Sequence, residues 1–162
     1  MGLSSDRRTS NLQIVQARSE DAPILRQVAI QSKGYWGYPV HWMEQFARSP
    51  IITPESIASD VVYKACVEVS VVGWYRLLPK TPLAILDDLW VLPAWIGQGI
   101  GRALFEHASE QARLLGALAI ELEADPNAVP FYQRMGSRVI GQSLSEWGRY
   151  IPHMRFDLVD PV

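Results

Sequence analysis

The segment Val91-Leu92-Pro93-Ala94-Trp95-Ile96-Gly97-Gln98-Gly99-Ile100-Gly101-Arg102-Ala103-Leu104 constrains this chain more than any other. An apolar run closed by proline leads into a cluster of glycines. Behind it Ile100, Leu104, Ala108, Ala112 and Leu115 recur at helical spacing until Gly116 ends the run. A strand, a tight turn and the start of a long helix are expected in that order. Glycines let the backbone take positive φ and come close to a guest. The first N–H groups of a helix have no acceptor within it and lie at the positive end of its dipole. Such a turn suits a phosphate, and most naturally a pyrophosphate. Two other phosphate loops fail on spacing. A Walker loop needs Lys-Ser/Thr after its last glycine, and none follows. A dinucleotide fingerprint needs Gly-x-Gly-x-x-Gly, whereas its last position falls on Arg102 or Leu104.

The rest of the chain alternates strand and helix signals. Leu12 to Ala17 reads as a strand, and a helix follows Ser19-Glu20-Asp21 through Leu25, Val28 and Ala29 to Lys33-Gly34. A second helix is expected from Pro39 through Met43, Phe46 and Ala47. Pro50 and Pro54 read as punctuation. Val61 to Val69, Val71 to Leu78 and Ala84 to Leu92 read as strands. After the glycine turn and its helix, Ala117 to Ala124 is a strand. Asp125-Pro126-Asn127 opens a short helix that Gly136 stops, and Val139 to Leu144 and Tyr150 to Val159 close the chain as strands. This mixed order predicts an α/β or α+β domain over 12–162, after a loose tail over 1–11.

Composition narrows the function. With 15 Lys+Arg against 17 Asp+Glu the net charge is only -2, which argues against a nucleic-acid partner. Cys66 is the sole cysteine, which excludes an internal disulfide and a multi-cysteine zinc site, and it reads as a buried small hydrophobe. No metal is expected. No apolar run is long enough to span a membrane and the N-terminus lacks a secretory pattern, so a cytoplasmic protein is expected. Tyr35, Trp36, Tyr38, Trp42 and Phe46 crowd one short stretch. Their faces suit a cationic amine, or else they pack helices on a sheet. His41, in the same stretch, reads as a surface or partly buried residue.

The glycine segment resembles the hallmark of the GCN5-related N-acetyltransferase (GNAT) family, Arg/Gln-x-x-Gly-x-Gly/Ala after a strand ending in Val-x-Pro. Ile96 stands here where Arg or Gln is usual. A second block, Asp125-Pro126-Asn127-Ala128-Val129-Pro130-Phe131-Tyr132-Gln133-Arg134-Met135-Gly136, resembles the family's Asn-Ala-x-x-Phe-Tyr-x-x-x-Gly helix. The resemblance implies a mixed, mostly antiparallel sheet of about seven strands with about four helices, splayed between strands four and five. It implies an acetyl-CoA-dependent N-acetyltransferase acting on a small-molecule amine in a ternary complex. A non-catalytic acyl-CoA sensor with the same fold is the alternative.

The resemblance also implies roles. Gln98, Gly99, Gly101, Arg102 and Ala103 would hold the pyrophosphate, mainly through backbone N–H groups, unless the glycines serve packing alone. Val91 would pair with the pantetheine arm. Asn127 would hydrogen-bond that arm, cap its helix, or both. Tyr132 would act as general acid toward the leaving thiolate or pack beside Phe131, with Phe131 expected on the core side. Asp88 or Glu123 would serve as base, or else be solvated charges. Tyr35, Trp36, Tyr38 and Trp42 would wall the acceptor pocket, and Arg149 would meet a substrate carboxylate or form an ion pair. A homodimer is allowed through an exposed edge strand.

Overall fold

A computed structural model describes residues 11–159. The expected loose tail falls almost wholly on residues 1–10, outside the described residues. The elements are β1 (Leu12–Gln16), α1 (Ala22–Gly34), α2 (Val40–Arg48), α3 (Pro54–Ser59), β2 (Val61–Val67), β3 (Ser70–Lys80), β4 (Leu83–Val91), α4 (Ile100–Leu114), β5 (Ala119–Glu123), α5 (Val129–Arg134), β6 (Arg138–Leu144) and β7 (Tyr150–Asp157). The strands form a seven-stranded mixed sheet in the order β1-β2-β3-β4-β5-β7-β6. Among the described residues no helix is long and apolar enough to cross a membrane.

Strands and helices fall close to where the sequence places them, with α3 as the addition. The sequence reading takes Pro54 for a break, yet it opens a helix. A proline at the first helical position loses nothing, because that N–H would have no helical acceptor. Thr53 completes the start: its Oγ1 accepts from Ser56 N–H at 3.1 Å, and its own N–H donates to Ser56 Oγ at 3.0 Å.

Compactness divides the chain into two units. The first runs to Arg76 and takes in Asp88–Leu104; the second holds Leu77–Asp87 and everything from Phe105 onward. In the first, β1 and β2 pair antiparallel from Leu12↔Val67 to Gln16↔Tyr63. Leu25, Val28 and Ala29 form the buried stripe of α1 and join a core with Ile57, Val62 and Trp74. Trp74 is fully buried, and its indole N–H donates to the Leu25 carbonyl at 2.8 Å, so its one polar group has a partner. At the start of α1, the Asp21 carboxylate meets Lys64 Nζ of β2 at 2.9 Å.

In the second unit β5 pairs antiparallel with β7 from Ala119↔Asp157 to Glu123↔His153. Strand β6 runs antiparallel to β7, with an irregularity between Val139 and Gly141. The parallel pairing of β4 with β5 extends only from Leu83↔Ala119 to Ile85↔Glu121, although β4 runs on to Val91. The two strands splay beyond it. Phe105, Ala108 and Ala112 of α4 are buried, as are Ile120, Leu122 and Met154. The Phe105 ring meets Phe156 edge-on at 5.1 Å.

Candidate active site

The end of β4 is held from two sides within the first unit. Leu92 N–H donates to Val72 O at 2.8 Å. The buried Ser32 hydroxyl lies 2.7 Å from both the Val28 and the Val91 carbonyls, so one proton serves helix and strand. A 3-10 turn over Pro93–Trp95 follows. Gly97 then has φ +79° and Gly99 φ +84°, and a Cβ at either would meet nothing within 4 Å. Packing therefore does not call for glycine there; the left-handed backbone does. Ala103 N–H donates to Gly99 O at 3.0 Å and closes the first turn of α4. Gly101 and Arg102 precede that bond, ahead of the helical ladder. Gln98 folds back, its Nε2 donating to Ala94 O at 3.1 Å, which leaves the backbone as its means of meeting an anion. A left-handed glycine turn opening a long helix fits a diphosphate.

In the second unit Asp125 caps the turn over Pro126–Ala128, accepting from Asn127 N–H at 2.8 Å. Asn127 is thus not the cap, and its side chain is exposed. Tyr132 on α5 is 8% exposed and Phe131 is half-buried, so Tyr132 is the more buried of the two. The Phe105 ring lies 6.0 Å from that of Tyr132 and edge-on to it. Glu123 ends β5 with Oε1 3.4 Å from His153 Nε2, its cross-strand partner. That nitrogen is also 3.0 Å from Ser143 Oγ. Glu121 on the same face instead meets Arg155 at 3.5 Å. Arg149 forms the ion pair, 3.3 Å from Asp125.

Asp88, on the first unit's part of β4, has one oxygen hydrogen-bonded and the other, buried, in ion-pair contact. Oδ1 accepts from Trp90 Nε1 at 3.0 Å and Oδ2 lies 3.3 Å from Arg76 Nε. Asp87, on the other face, is exposed. The aromatic stretch splits in two. Tyr35 and Trp36 are 54% and 42% exposed and meet edge-on. Tyr38 and Trp42 are half-buried against each other at 5.8 Å, and Phe46 packs on Trp90 at 5.7 Å. Lys33 Nζ stands over the Tyr38 ring at 4.9 Å and the Phe46 ring at 5.0 Å. His41 is exposed beside Trp42. Cys66 is half-buried rather than buried, and burial raises its thiol pKa.

The model of the acetyltransferase (GNAT) family matches residues 25–137, well over half of the chain. The chain belongs to the GNAT family. No curated protein matches it. Its fold is similar to the PaiA N-acetyltransferase of Thermoplasma acidophilum, solved in complex with coenzyme A, at 20% identity over 90% of this chain and 98% of that one, with TM-score 0.77. It is also similar to the ribosomal-protein-S18-alanine N-acetyltransferase of Escherichia coli, at 16% identity over 93% and 96% of the chains, TM-score 0.70. YncA of Salmonella typhimurium, solved with its cofactor acetyl-CoA, shares 16% identity over 94% and 96%, TM-score 0.67. At such identities the likeness is one of fold.

The sequence reading of this GNAT chain missed Ser32, Lys33, Arg76 and Trp90. The signal for Lys33 was present, since the cation directly precedes the aromatic run. Ser32 and Arg76 left none: their partners Val91 and Asp88 are remote in sequence, and only the fold brings them together.

Proposed function

We propose that this chain transfers the acetyl group of acetyl-CoA to the primary amine of a small molecule by direct attack in a ternary complex. The observation that carries the reading is the left-handed turn at Gly97 and Gly99 that opens α4, with open space where their side chains would be. Backbone N–H groups of Gln98, Gly99, Gly101 and Arg102 hold the diphosphate; Ala103 closes the turn beneath them. Val91 aligns the pantetheine arm through its backbone and Asn127 through its side-chain amide. When bound, acetyl-CoA supplies an acetyl thioester whose carbonyl can be attacked.

A backbone N–H near Val91 polarises that carbonyl. Tyr132 Oη holds the proton that a departing thiolate takes up. Glu123 accepts the proton of the attacking amine through water, because Asp88 is held by Arg76 and Trp90 and instead fixes the wall beside β4. The near-neutral charge favours a small acceptor over a macromolecule.

Thiol release from acetyl-CoA over an amine panel tests this reading, with Tyr132→Phe beside wild type. Wild type releases thiol with at least one amine. Tyr132→Phe keeps coenzyme A binding and the ring packing but loses about 10²–10⁴-fold in kcat. Unchanged turnover in Tyr132→Phe removes that residue from the chemistry. A wild-type protein that binds acetyl-CoA yet releases no thiol with any amine supports the sensor reading.

A further inference from the structure

The aromatic stretch brings its own cation. Lys33 Nζ lies over the faces of Tyr38 and Phe46, at 4.9 and 5.0 Å. Each ring packs beside an indole, Tyr38 beside Trp42 and Phe46 beside Trp90. A ring face draws an ammonium electrostatically, and the half-buried setting strengthens the pull. The place that a cationic guest would take on these faces is therefore filled from within. A second positive charge would have to displace Lys33 or stand beside it, and like charges repel most where water is scarce.

The cluster also lies at the end of β4. Ser32, the neighbour of Lys33, lies within hydrogen-bond distance of the Val91 carbonyl, and Phe46 packs on Trp90 one residue earlier. Fixing α1 and α2 to that strand end fixes where the Lys33 charge stands. A lysine ammonium has three donors and meets a carboxylate as a point charge. Tyr35 and Trp36, next along the chain, are exposed and meet each other edge-on.

We propose that Lys33 selects the acceptor: the site takes an amine that also carries an anionic group such as a carboxylate, and disfavours a diamine. This rests on the acetyl-transfer reading and on the aromatic stretch walling the acceptor site. Lys33 acts as a specificity residue that meets the anionic group directly. The rings of Tyr38 and Phe46 hold its ammonium in place rather than binding substrate through their faces.

The test uses the full chain and matched acceptors that differ only in charge: γ-aminobutyrate, butylamine and putrescine, with para-carboxybenzylamine, benzylamine and para-xylylenediamine as an aromatic set. Thiol release gives kcat/KM for each, and calorimetry gives the affinity of each for the enzyme loaded with coenzyme A. Wild type favours the carboxylate over the diamine in both readouts. Lys33→Met shrinks that ratio by about tenfold, the size of a contact of this kind, and Lys33→Arg keeps it. A melting curve for each variant separates this from a loss of fold. The proposal is overturned if wild type takes the diamine as well as the carboxylate, if Lys33→Met leaves the ratio unmoved while lowering Tm, or if no amine binds or reacts. Failure of the acetyl-transfer reading looks different: carboxylated amines still bind ahead of diamines, but acetyl-CoA stays intact with all of them.

Discussion

Glycine serves two purposes within the first unit. At Gly73 on β3 an added Cβ would lie 2.7 Å from the Trp90 carbonyl and 3.1 Å from a Leu104 methyl, so close approach of backbone requires it. At Gly99 space is open and φ is +84°, so backbone conformation requires it. The two substitutions should fail differently. Gly73→Ala overpacks the core and lowers stability by about 1–3 kcal/mol, read by urea unfolding. Gly99→Ala costs about 1–2 kcal/mol of backbone strain and weakens coenzyme A binding, read by calorimetry. A Gly99→Ala protein that binds coenzyme A as tightly as wild type would remove the turn from cofactor recognition. Sequence spacing made Gly99 legible, because the turn is local. Gly73 was not, because its neighbours come from β4 and α4.

At the scale of elements, ion pairs fasten helix to strand and strand to strand. Burial alone would raise the pKa of Asp21, but the Arg18 N–H bond and the Lys64 ammonium outweigh it and hold the carboxyl below its ordinary 3.8. In the second unit, hydrogen bonds from Arg138 and Arg155 lower that of Asp157. A carboxyl whose pKa is depressed by folding adds stability above its unfolded pKa and loses it as pH falls through the folded value. Stability is therefore expected to fall on acidification below about pH 4, where both groups take up protons. Lys64→Met should be less stable at neutral pH and should lose less than wild type on acidification, as seen by urea unfolding at both ends of the range. An equal loss in both would exclude Asp21 as a source of the acid limb. Elements with strong periodicity, such as α4, could be read from sequence because burial repeats along them. Helix α3 could not: it is short, and its start depends on a reciprocal Thr53–Ser56 bond rather than on an apolar pattern.

For the whole molecule, the parts of the site carried by contiguous residues were legible and the parts assembled by folding were not. The glycine turn and the block over 125–136 point to one family from sequence alone. The aromatics of the proposed acceptor wall were evident, but that Lys33 seats its ammonium over the Tyr38 and Phe46 rings was not. Ligand linkage gives a prediction for the intact chain. Coenzyme A at a hundredfold over its Kd should stabilise the folded state by about 2.7 kcal/mol and raise Tm, whereas ATP or NAD at the same concentration should raise it less. Acetyl transfer itself is tested most directly by incubating the enzyme with isotope-labelled acetyl-CoA and the amine panel and weighing the amines by mass spectrometry. The labelled acetyl group should appear on at least one amine, and first on those carrying a carboxylate. Recovery of every amine unlabelled, with acetyl-CoA bound but intact, would contradict the assignment.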